Sequence, residues 1–223
     1  MERAEYLCEE NWWGSFYELA LELGPSGDDA LATRALEALW RQPELRGPWR
    51  ELADFSSAPD RTLLAPEEVR SYGVLTLDCK TELGLMSHIV RIEGQSDWLD
   101  LSIPTGMFEL RFPVKYPLDL ATNPWLGELD RLLVRIAARI YKVAPFRLGL
   151  LGEEASGSGS ASELTAADCE HGGFVVPEVL WHKLAPKRVP DLIEGGMVYA
   201  PLVGPHITYG EVKSNSETGA TDS

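Results

Sequence analysis

The chain has 223 residues, 44% hydrophobic and 25% charged, values ordinary for one globular domain. Asp and Glu number 35 against 20 Lys and Arg, a formal net charge of −15, which disfavours nucleic acid and anionic membranes as partners and favours basic proteins. No apolar run approaches the roughly 20 residues of a membrane helix. Met1-Glu2-Arg3-Ala4-Glu5 lacks the basic start and apolar stretch of a signal peptide, so a cytoplasmic location is expected.

The acidity is uneven: residues 1–60 carry 13 acids and 5 bases. Within that quarter, Phe16 to Leu23 places Tyr17, Leu19, Leu21 and Leu23 on one side and Glu18 and Glu22 on the other. This period of two predicts a half-buried strand with one wet face. Gly24-Pro25-Ser26-Gly27 ends it, and Ser26 or Asp28 can cap a helix from about Asp29 to Arg41 that stops before Pro43. Pro43 to Pro66 reads as a long irregular stretch with one helical turn around Trp49–Ala53.

Three strands are predicted next, Tyr72–Leu77, Glu82–Ile92 and Trp98–Ile103, joined by tight turns as an antiparallel meander. Asn123-Pro124 then caps a helix running to about Val143, since Trp125, Leu129, Leu132, Leu133, Ile136, Ile140 and Val143 recur at helical spacing. Its outer side carries Arg131, Arg135, Arg139 and Lys142, a stripe best read as a solvent face paired with nearby acids. A strand over Phe146–Glu153 runs into the low-complexity segment 154–162, read as a mobile loop. One short helix is expected within Glu163–Leu184, with strands at Gly173–Pro177 and Gly196–Leu202. The fold class is therefore α+β, mainly antiparallel sheet with two principal helices packed on one face. Residues 1–212 form a single domain, and 213–223 form a disordered tail.

Motifs that carry chemistry are missing. There is no G-x-S-x-G elbow, Gly-Lys-Ser/Thr phosphate cradle, GxGxxG turn or HExxH helix. Cys8, Cys79 and Cys169 form neither a disulfide framework nor a zinc pattern, and Cys169, His171 and His182 lack metal-ligand spacing. No cofactor, metal or catalytic residue is assigned. His88 reads as a structural histidine inside a strand, and His206 as a loop residue.

Trp12 and Trp13 enter the first strand together, so they point opposite ways, and one stays partly exposed beside acids. Exposed Trp suits recognition of a partner. The candidate partner-binding residues are Trp12, Trp13, Glu18 and Glu22, joined by Asp97 and Asp100 if these line the same acidic face.

Trp13-Gly14 entering an amphipathic strand, then Leu39-Trp40-Arg41-Gln42-Pro43 closing a helix with Trp49 beyond, resembles bacterial polymorphic-toxin immunity proteins. Ser96 to Pro104 and Pro145 to Gly152 are similar to segments of uncharacterised bacterial α+β proteins. The resemblance implies a non-catalytic cytoplasmic protein that binds and neutralises a toxin. An acidic inhibitor suits a basic nuclease, because carboxylates can stand where that toxin expects phosphates. A homo-oligomer is compatible with this reading. The alternative expectation is a hydrolytic enzyme with a His/carboxylate site assembled from residues distant in sequence.

Overall fold

A computed structural model describes residues 5–66, 70–91, 93–156 and 159–203. The expected tail at 213–223 and His206 lie outside them. The protein is α+β, built on an antiparallel sheet of nine strands with four α-helices among the described residues.

The strands are β1 (Phe16–Pro25), β2 (Leu45–Trp49), β3 (Ser71–Thr76), β4 (Glu82–Val90), β5 (Ser96–Pro104), β6 (Leu148–Glu153), β7 (Phe174–Pro177), β8 (Asp191–Ile193) and β9 (Met197–Ala200). Their order is β2-β3-β4-β5-β1-β6-β7-β9-β8, with every neighbouring pair antiparallel. The helices are α1 (Asp29–Trp40), α2 (Gly106–Glu109), α3 (Leu126–Tyr141) and α4 (Glu178–Leu184). None of them is long and apolar enough to cross a membrane.

Alternation decides which residues meet which layer. Tyr17, Leu19, Leu21 and Leu23 join a buried cluster with Leu83, Leu85, Leu99 and Leu101 from the neighbouring strands. Ala35, Leu36 and Leu39 of α1 and Leu129, Leu133, Ile136 and Ile140 of α3 belong to that same cluster. Asp28 caps α1 by accepting from the Leu31 amide at 2.9 Å.

The opposite face is covered twice. At the β6–β9 end a second cluster joins Leu148, Leu150, Phe174, Val176 and Val198 to Leu164, Cys169 and Trp181 of α4. At the β2–β3 end Trp49, Phe55 and Val74 pack with Tyr6 and Trp12. Between these covers, β4, β5 and β1 present their even-numbered residues to an open cleft.

Several local expectations are corrected. Leu45–Trp49 is an edge strand, although it holds Pro48 and Gly47; a sheet edge tolerates proline because one side of the strand needs no donor. Its neighbour Gly73 has no room for a Cβ, which would press into the Trp40 ring. Asn123 does not cap α3. Its side chain instead accepts from Lys115 N at 2.8 Å and donates to Lys115 O at 2.6 Å, closing the loop before the helix. The short elements α2 and β8 carry no periodic signal long enough to read from sequence.

Candidate functional site

Three cross-strand rows make the floor of the cleft. Glu18 on β1 faces Ser102 on β5, which faces Met86 on β4. Ala20 faces Asp100, which faces His88. Glu22 faces Trp98, which faces Val90. Each strand therefore contributes every second residue, and three carboxylates reach one cavity of about 830 Å³. Arg70, Arg147 and Glu163 also line it.

Glu18 and Glu22 were expected on a wet face, yet they are 5% and 1% exposed. The segment after β6 lies over them and supplies the donors a buried carboxylate needs. Glu18 Oε2 accepts from the Ser156 amide at 2.9 Å and the Ser156 hydroxyl at 2.8 Å, while Oε1 accepts from Ser102 Oγ at 3.1 Å. Glu22 Oε2 accepts from the Ala161 amide at 2.6 Å and Oε1 from Ser96 Oγ at 2.7 Å, with Arg147 Nη1 at 4.0 Å. These acids thus pin the described parts of segment 154–162, read as a mobile loop, down to the sheet.

Asp100 is placed differently. It is 3% exposed, and its Oδ1 has no hydrogen-bond partner among the described residues. His88 Nε2 lies 3.8 Å from Asp100 Oδ2, too long for a hydrogen bond, and His88 Nδ1 is also buried without a partner. Burial and then the charge of Glu18 push the Asp100 carboxyl up to about 7. Burial and then Arg70 push His88 down from its ordinary value, so its ring is neutral at neutral pH. The pair can hold or release a proton at Asp100 close to pH 7.

The other predicted residues separate from this cleft. Asp97 shares the parity of Leu99, so it stands on the far face, where its Oδ2 accepts from the Gly27 amide at 3.0 Å and lies 3.5 Å from Arg91 Nε. A three-residue separation between Asp97 and Asp100 places them on opposite sides of a strand. Trp12 is half-buried, donates to Tyr6 O at 3.0 Å and packs edge-on against Tyr72. Trp13 is 49% exposed and lies beside Gly106. Neither tryptophan lines the cleft; Trp98 does.

The histidines among the described residues do not converge either. His182 pairs with Glu178 on the surface of α4 at 3.2 Å, and of the histidines among the described residues only His88 enters the cleft. Among the described residues no group of three or more His, Cys, Asp or Glu is placed to hold a metal ion. The cleft hydroxyls of Ser102, Ser156 and Ser96 are turned to Glu18 and Glu22, not to His88. Among the described residues the stripe that begins on α3 is paired with acids in three of its four members: Arg135 with Asp78, Arg139 with Glu44 and Lys142 with Glu194.

His88 and Asp100 were the residues sequence reasoning joined least well. Each is a polar side chain on the strand face opposite its core leucines, but only the register between β4 and β5 sets them opposite each other. Fold and site together define an antiparallel-sheet α+β protein with an acidic cleft on one sheet face. Comparison with family models, curated proteins and solved structures found no match to this chain.

Proposed function

We propose that this is a non-catalytic binding protein that seats a basic group of a protein partner in the acidic cleft between β4, β5 and β1. The observation that carries the reading is Asp100, a buried carboxyl at the cleft floor whose Oδ1 has no hydrogen-bond partner among the described residues. A buried acceptor without a donor is costly, and a partner that brings the donor removes that cost. The net charge of −15 favours the encounter with a basic protein. The partner implied by the resemblance is a toxin, a basic nuclease being the case that acidity suits best, which makes this an immunity-type protein of the cytoplasm.

Calorimetry with a basic nuclease toxin tests the reading. Binding that weakens on raising the salt concentration and on D100N supports it. Failure to bind that protein or any other basic partner overturns it.

A second reading, a hydrolase, is favoured by one observation: His88 Nε2 and Asp100 Oδ2 stand 3.8 Å apart in a single cleft. A panel of ester, amide, glycoside and phosphoester substrates separates the two. Turnover that H88A abolishes supports the hydrolase; none in the wild-type protein removes it.

A further inference from the structure

Most of the acceptor capacity in the cleft is already used by the protein itself. A carboxylate offers about four acceptor positions. Glu18 fills three of them with Ser102 and Ser156, and Glu22 is engaged by Ser96, Ala161 and Arg147. Asp100 has only the 3.8 Å approach of His88 at one oxygen and nothing at the other among the described residues. The terminal torsion of an aspartate is broad and two-fold, so a half-turn exchanges its two oxygens.

The walls select among cations. Trp98 shares the face of Asp100 two residues away, and Met86 and Val90 complete an apolar side. A compact ammonium is strongly hydrated and loses that shell against such walls. A guanidinium is weakly hydrated, stacks on aromatic rings and spans two carboxylates with a rigid fork.

We propose that the cleft takes a guanidinium group, the side chain of an arginine on the partner, forked between Asp100 and Glu18 and stacked toward Trp98. This rests on the reading of the cleft as the recognition site for a basic protein. Binding ionises Asp100 and delivers its proton to solvent. The charged or titratable groups around it are Glu18 and Glu22 on β1, His88 on β4, Arg70 ahead of β3, Arg147 ahead of β6, and Glu163 over the cleft. Affinity therefore rises with pH through the range in which Asp100 gives up its proton.

The full chain titrated with butylguanidinium, butylammonium and neutral butylurea, followed by NMR at the Trp98 indole and His88 ring, tests this. Expected are saturable shifts with butylguanidinium, affinity about tenfold above butylammonium, no response to butylurea, and a loss of about tenfold in D100N with the spectrum otherwise folded. No saturable shift, equal affinity for the ammonium, or an unchanged D100N overturns it. If butylguanidinium binds but no basic protein does, the cation site stands and the protein-partner reading falls. If a basic protein binds without any guanidinium response, the partner docks elsewhere and this inference falls.

Discussion

Glu18 Oε2 accepts both the backbone N–H and the hydroxyl of Ser156, two residues 138 positions apart in the chain. With the Glu22–Ala161 bond it fastens the segment after β6 at two points across the sheet face. The cleft wall is therefore held by side chains that the sequence places on β1.

Removing that fastening should loosen the wall. E18A is expected to raise hydrogen exchange at residues 153–156 and 159–163 about tenfold or more, as the loss of charge-assisted bonds of roughly 1.5–3 kcal/mol implies. S156A, which keeps the amide donor, should have the smaller effect. Exchange read by mass spectrometry checks both, and unchanged protection in E18A would refute the fastening.

Stability should depend on pH through Asp100. Its carboxyl moves from an ordinary 3.8 to about 7 on folding, so the native state holds a proton that the unfolded chain releases. The contribution is then most favourable below pH 3.8 and declines as pH rises toward about 7. D100N cannot ionise. It should match the wild type near the acid end and exceed it at pH 8 by about 1–4 kcal/mol. Urea melts across that range decide the point; parallel curves for the two proteins would count against it.

Asp130 of α3 accepts from Tyr17 on β1 at 2.6 Å and from Tyr199 on β9 at 3.0 Å. Burial pushes its carboxyl up to about 6, against the pull of the two tyrosine bonds. D130A leaves two buried hydroxyls without this acceptor and should cost about 2–4 kcal/mol, while Y17F should cost about 1–2 kcal/mol because Tyr199 still bonds. Denaturant unfolding measures each, and D130A equal to Y17F would contradict the shared node.

The thiols should separate by accessibility. Cys79 is exposed, whereas Cys169 is fully buried and its thiol is pushed up to about 11 by burial and then by Asp168 and Glu170. Cys79 is expected to react with a thiol reagent in the folded protein, and Cys169 only after unfolding. C79S should remove the corresponding fast phase in a spectrophotometric assay; rapid labelling of Cys169 in the folded state would be the contrary result.

Long periodic elements were legible from sequence. β1, the β3–β4–β5 meander and α3 announce themselves by repeats of two and 3.6 residues, because those repeats reflect local backbone geometry. The edge strand β2 was not, since its Gly47-Pro48 signals irregularity and only pairing with β3 makes it a strand. Of the candidate site, it was legible that Glu18 and Glu22 share the face of β1 opposite Leu19 and Leu21; that this face is buried was not. The donors that bury them arrive from Ser156 and Ala161, far along the chain.

The acidity of the first quarter, and which residues share a side in the long strands β1, β4 and β5, are readable from the chain alone, since side-chain alternation follows from the backbone of one strand. Only the tertiary structure decided what those sides face. Register between β4 and β5 sets His88 against Asp100, and the pairing of β6 with β1 brings the following segment over Glu18 and Glu22. Such pairings join residues remote in sequence, so no local preference encodes them. They turn an acidic strand face into a cleft with one carboxyl oxygen that no described residue bonds.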